Sequence, residues 1–283
     1  MGLQSVRRGP GARSRSRLLA SEDAGLELGA GVAVVSSKMF GMGQATPIEW
    51  SEMTWNPATG CSKVSPGCAH CYAETFAERW RGVPGHHYEQ GFDLRLWPER
   101  LEQPLHWRRP RRIFVNSMSD LFHEDIPEGY IAQIFDVMGR AHWHTFQVLT
   151  KREDRLTELA SSLEWYPNIW MGVTVENRRF VDRADALRAI PAAVRFISAE
   201  PLLGPLEGID LTGIHWLIAG GESGHRHRRL DLDWVRDLRA RCIESDTAFF
   251  FKQVGGRTPK AGGRDLDGRT WDEYPASGAS ALV

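Results

Sequence analysis

The chain has only four cysteines in 283 residues, and nothing in its first residues reads as a secretory leader, so a disulfide framework is not expected. No apolar run approaches the roughly 20 residues of a helical membrane span, which points to a cytoplasmic protein without a membrane partner. Neither sign of charge dominates. The formal net charge is −1, which argues against a generic polyanion binder, because that affinity needs a concentrated basic surface; a local patch stays open. There is also no internal repeat. What remains is ordinary globular composition, with 42% hydrophobic and 25% charged residues, enough for one large core or two modest ones. Eleven tryptophans run from Trp50 to Trp271, and most are expected in the core.

Against this scarcity, three of the four cysteines fall within one stretch, Cys61, Cys68 and Cys71. A C-x-x-C pair brings two sulfurs to one metal centre, and Pro66-Gly67 lets the preceding loop turn back to deliver the third. Three is an informative number, since a structural zinc site takes four ligands and a simple iron–sulfur cluster usually takes four cysteines. A set of three thiolates leaves one position open for chemistry. The competing readings are a closed Cys3His zinc site completed by His70, and a cluster of cysteines with no metal.

Residues 1–41 differ in composition from the rest of the chain. Arg7, Arg8, Arg13, Arg15 and Arg17 lie among Gly, Ser and Pro, which reads as a disordered extension or as sequence upstream of the true start at Met39 or Met42. From Ile48 onward, short apolar runs alternate with helical patterns. A first strand is expected within 49–57 and further strands at 112–116, 145–150, 168–175, 195–199, 215–219 and 248–252. Helices are expected at 69–80, 128–140, 152–162, 178–189 and 233–244, with a loop in place of a helix at 201–213. The alternation predicts an α/β fold, a parallel βα barrel of partial or complete TIM type over residues 42–283. Asp267-Gly268 signals a hairpin expected to close one end of the barrel, followed by a frayed tail. Cys242 is expected in the core of the last helix.

Polar residues follow each apolar run. They are Asn116-Ser117-Met118-Ser119-Asp120 with His123 and Glu124, then Lys151-Arg152, Thr174-Val175-Glu176, Glu200-Pro201, Gly220-Gly221-Glu222 and Lys252-Gln253. In a parallel barrel these ends share one face, where active sites of that architecture are built, and the cysteine loop follows the first strand onto the same face. Glu176, Glu200 and Glu222 are acids at three successive strand ends and demand cations or donors as partners. Lys151 sits where a cation grips a carboxylate, and Gly220-Gly221 reads either as a plain turn or as a close approach to a ligand.

The blocks from Ile48 to Pro57, Gly60 to Glu74, Phe114 to His123, Phe146 to Lys151, Ser198 to Pro205, Gly220 to Gly224 and Phe249 to Gln253 resemble the phage-associated three-cysteine-motif proteins, a family of undefined function, over residues 47–275. That family in turn resembles the radical SAM superfamily. The resemblance implies a [4Fe-4S] cluster on Cys61, Cys68 and Cys71, with S-adenosylmethionine (SAM) on its open iron and cleavage to a 5′-deoxyadenosyl radical. It further implies an electron donor as partner and places the SAM amino group at Ser117, Ser119 and Asp120. The carboxylate falls to Lys151, the ribose to Thr174 or Glu176, and the adenine to Gly220-Gly221; Glu200 and Glu222 complete the candidate set. One departure is plain: the superfamily's common spacing is C-x3-C-x2-C with an aromatic before the last cysteine, whereas here it is C-x6-C-x2-C with His70 there and Tyr72 after. The phage association suggests a nucleic acid or nucleotide as substrate. The alternatives from other classes are a zinc-stabilised binding protein and a redox-sensing cluster protein.

Overall fold

The computed structural model describes residues 44–46 and 48–276; the expectations for residues 1–41 and for the tail after 276 lie outside them. Seven parallel strands form the sheet: β1 Met53–Trp55, β2 Arg112–Val115, β3 Thr145–Thr150, β4 Ile169–Thr174, β5 Val194–Ala199, β6 Trp216–Gly220 and β7 Ala248–Gln253. They hydrogen-bond in sequence order, with Gln44–Ala45 added antiparallel outside β1. The sheet curls into an open half-barrel.

Helices α1 Tyr72–Ala77, α2 Glu128–Arg140, α3 Glu153–Leu159, α4 Asp182–Arg188 and α5 Leu232–Glu244 connect the strands, except between β5 and β6, where the expected loop replaces a helix. The strands are buried on both faces, as covered parallel strands require, so each reads as an apolar run.

Alternation sorts their side chains into two clusters. Ile113, Val115, Phe146, Val148, Met171, Val173, Ile197, Leu217 and Phe251 share one core with helix residues such as Ile134, Leu156, Leu187 and Leu238, which marks the outer face. Phe114, Trp170, Phe196, Trp216, Ile218 and Phe250 pack with Trp50 in a second cluster that contains no helical residue, which marks the concave face. Trp50 lies 4.7 Å from Phe114, and Trp216 lies 5.1 Å from Tyr274 between ring centroids. Aromatics fill the lower interior, and polar residues are left to the mouth.

Two expectations change. The first strand occupies only Met53–Trp55 of the 49–57 stretch, because Trp50 leaves the sheet line to enter the concave cluster, while Ala58–Thr59 pairs with Arg95–Leu96 in a small separate sheet. The hairpin Asp265–Leu266/Arg269–Thr270 forms as its Asp-Gly turn requires, but it packs outside. Asp267 binds Arg236 and Arg239 of α5 at 2.9 and 2.6 Å, and Tyr274 beyond it caps the interior instead.

Candidate metal centre and barrel mouth

The cysteine loop leaves the small strand Ala58–Thr59 through Gly60, whose φ of +89° and close fit against the Asp93 carbonyl admit no side chain. Gly60 N–H donates to Met118 O at 2.9 Å, which ties the loop to the turn after β2. Cys68 ends a one-turn 3-10 helix, Pro66–Cys68, and Cys71 immediately precedes α1. All three cysteines are half-buried, whereas Cys242 is fully buried within α5.

Burial pushes the Cys61 thiol up to about 11, with Asp120 adding to the effect and Arg152 opposing it. Burial also raises Cys71, against hydrogen bonds from the backbone of Glu74 and Ala73. Thiols in this condition become ligands when a metal centre offsets the cost of the thiolate.

The spacing of the sulfurs bears on the kind of centre they suit. Tetrahedral zinc with Zn–S near 2.3 Å holds its sulfurs about 3.8 Å apart. Among the described residues, the group whose ligand atoms all lie within 4.8 Å of one another is His123, Glu124 and Asp125, not the three cysteines. In this arrangement the three sulfurs do not all lie within 4.8 Å of one another, a wider spacing than a single tetrahedral zinc sets.

Arg152, only 8% exposed, stands beside this loop. Its guanidinium lies 3.8 Å from Cys61 Sγ, donates to Ser62 Oγ at 2.6 Å and approaches Asp120 at 3.7 Å. Ser62 Oγ in turn lies 2.9 Å from His123 Nε2.

Each candidate residue takes a definite place. Ser117 Oγ donates to Asn56 Oδ1 and Ser119 Oγ to Ala58 O. Asp120 accepts from Thr150 Oγ1 at 2.7 Å, from Lys151 N at 3.0 Å and from Phe122 N at 3.0 Å; its carboxylate organises the mouth. Lys151 and Thr174 come together, with Nζ donating to Oγ1 at 3.3 Å.

The three strand-end acids find their partners inside the protein. Glu176, fully buried, pairs with Arg183 at 3.1 Å and accepts from Ser65 Oγ. Glu200 pairs with Lys252 at 3.0 Å and accepts from Trp50 Nε1 at 3.2 Å. Glu222 pairs with Arg228 at 2.6 Å and lies 3.1 Å from His70 Nδ1. Burial would raise Glu222, but the Arg228 side chain, His70 and the Arg228 backbone together hold it at about 2.

Two of these acids seat the cysteine loop. A Cβ on Gly67 would stand 2.5 Å from Glu176 Oε1, so the loop rests directly on that carboxylate. Arg228 spans from Glu222 to Pro66 O at 3.0 Å. Ser65, Pro66 and Gly67, within the six-residue gap between Cys61 and Cys68, thus anchor the loop to the segments that follow β4 and β6. Gly220 and Gly221 likewise pack on the protein itself: added Cβ atoms would meet Glu200 Oε1 at 2.8 Å and Val254 O at 1.9 Å.

Sequence reasoning missed Arg183 and Arg228, whose types suit any exposed helix or loop; the His225–Arg229 run after Glu222 was the available signal for the second. It also missed the importance of Asn116. This residue ends β2 with φ +59°, is buried, and has no partner for either amide atom. A buried amide left with a free donor and acceptor calls for an explanation, and one at a strand end in the barrel mouth is suited to a bound ligand.

Among solved structures, a cysteine-to-alanine variant of spore photoproduct lyase is 13% identical with a TM-score of 0.50, covering 76% of this chain and 79% of that one. A cysteine-to-serine variant is 13% identical with a TM-score of 0.50, covering 74% and 78%. For a variant with dinucleoside spore photoproduct the values are 15% and 0.46, and the match covers 74% of this chain but only 65% of that one. These likenesses concern the fold. No curated protein matches the chain. The family model described as "Protein of unknown function (DUF5131)" matches residues 45–275, and the chain belongs to that family.

Proposed function

We propose that the protein is an iron–sulfur enzyme of the radical SAM type, holding a [4Fe-4S] cluster on Cys61, Cys68 and Cys71 and acting on a nucleotide or nucleic-acid substrate. The observation that carries this reading is the set of three thiols on one loop at the mouth of a half-barrel, with that loop tied down on both sides. Such a cluster, reduced by an external one-electron donor and with SAM on its open iron, would supply the electron that cleaves the sulfonium to methionine and a 5′-deoxyadenosyl radical.

The chain's own residues prepare the site. Arg152 offsets negative charge next to Cys61, and Glu176 and Glu222 fix the loop so that its thiols keep their spacing. Lys151 is the cation available to a carboxylate, with Thr174 beside it, and Asn116 offers one donor and one acceptor. Because the glutamates and the Gly-Gly pair are engaged within the protein, Lys151, Thr174 and Asn116 are the residues we assign to ligand contact.

The test is anaerobic purification, reconstitution with iron and sulfide, and assay of iron, sulfide, zinc and 5′-deoxyadenosine formed from SAM with dithionite. We expect about four irons and dithionite-dependent cleavage. Stoichiometric zinc without iron uptake overturns the cluster. A loaded cluster that never cleaves SAM overturns the radical chemistry and leaves redox sensing.

A further inference from the structure

A cleft of about 780 Å³ opens beside the cysteine loop. Its near wall is α1 with the following turn, and its far wall is made by the loops after β6 and β7. Those loops are tied to each other by Gly224 N–H donating to Gly256 O at 2.9 Å.

Two features of the near wall are unusual. Tyr72 and Phe76, one helical turn apart on the same face of α1, are 59% and 44% exposed, and Tyr88 meets Phe76 edge-on at 5.5 Å. Of the large hydrophobic residues exposed among the described residues, Tyr72 and Phe76 both line this cleft. Exposed apolar surface gathered beside a candidate reactive centre, rather than scattered, marks a binding surface.

The charge of the cleft then selects the ligand. Arg79, Arg226 and Arg257 line it with His70 and His225, and no Asp or Glu does so among the described residues. SAM is not the match for this surface, since its ammonium and sulfonium outweigh its one carboxylate. Several guanidiniums beside exposed aromatic faces instead match a chain of phosphates carrying planar bases.

We propose that this cleft binds single-stranded nucleic acid, with bases stacking on Tyr72 and Phe76 and phosphates held by Arg79, Arg226 and Arg257. A strand so held would present a nucleotide to the cysteine loop through Ala69 and His70, which line the same cleft. Base faces hidden in a duplex would not reach the aromatic pair, so an unpaired strand is the preferred form. The inference deepens the radical-enzyme reading and relies on it for chemistry, but not for binding.

The test is fluorescence anisotropy of a labelled mixed-sequence single-stranded oligonucleotide with the full-length protein, before and after iron–sulfide reconstitution, over a salt series. Phe76→Ala should weaken binding about tenfold. Arg226→Ala and Arg257→Ala should each lower the slope of log affinity against log salt by about 0.7, the value for one phosphate on a single strand. The arginines of residues 1–41 are shared by wild type and variants, so the differences report the cleft. Circular dichroism and iron content confirm that these surface variants fold.

Unchanged affinity in all three folded variants overturns the proposal. So does equal affinity for the matching duplex, or full competition by polyglutamate at equal charge, which would mark a general polyanion surface. SAM cleavage without oligonucleotide binding removes this inference alone, whereas cleft-dependent binding without SAM cleavage removes the radical chemistry and leaves the cleft.

Discussion

Replacing Arg183 with methionine tests whether the cysteine loop rests on a buried ion pair. Arg183 donates to Glu176 Oε2 at 3.1 Å, to Glu153 Oε2 at 2.8 Å and to Thr174 O at 2.9 Å. The Arg183 side chain is 4% exposed and that of Glu176 0%. Arg183→Met keeps most of the packing volume but strands a carboxylate inside the protein with Ser65 as its remaining partner. Removing one member of a buried pair costs about 3–5 kcal/mol. For a domain of this size each kcal/mol shifts Tm by about 2–4 °C, so the melting point should fall by roughly 6–20 °C. Adding Glu176→Gln removes the stranded charge and should recover part of that loss, with a coupling of about 0.5–3 kcal/mol in the double-mutant cycle. Urea denaturation of wild type, both single variants and the double variant gives all four corners. A loss below about 1 kcal/mol for Arg183→Met, or additive single effects, would refute the view that Glu176 is a charged post held by Arg183.

Gly67→Ala should lower iron loading well below wild type, because the added methyl needs the space of the Glu176 carboxylate; overpacking of this kind costs about 1–3 kcal/mol, and normal loading would show that the loop does not sit there. Cys68→Ala should abolish iron uptake on reconstitution, while Cys242→Ala, buried in the helical core, should retain it and lose only modest stability; iron assays and thermal melts separate the two. Glu222 is held at about 2 against an ordinary value of 4.5. A depressed carboxylate stabilises fully above its unfolded value, and that contribution is lost as pH falls through the folded one. Protease nicking of loop 223–229 should therefore stay constant from pH 7 to pH 5 and rise between about 4.5 and 2, shifting upward in Arg228→Ala.

The half-barrel was legible because covered parallel strands must be apolar along their whole length and their helices must show one apolar stripe. Helix 128–140 and strand 145–150 appear at the expected residues. The first strand was overestimated because an apolar Trp50 suits a sheet face or a barrel interior equally well, and only packing against Phe114 and Trp216 decides between them.

The sequence alone determined that three thiols lie together, that they follow a strand, and that polar residues gather at the ends of the other strands. Spacing along the chain is covalent, and strand direction sends successive ends to one face. Only the tertiary structure decided what those polar residues do. Glu176, held by Arg183, meets the cysteine loop at Ser65, and Glu222 holds the loop through Arg228, all residues distant from it in sequence, while Glu200 is engaged by Trp50 and Lys252. The charge of a cleft is likewise a property of three-dimensional neighbours. A chain of nearly zero net charge gathers Arg79, Arg226 and Arg257 on one opening, because separate βα loops meet there and the acids near them turn inward to anchor the loop.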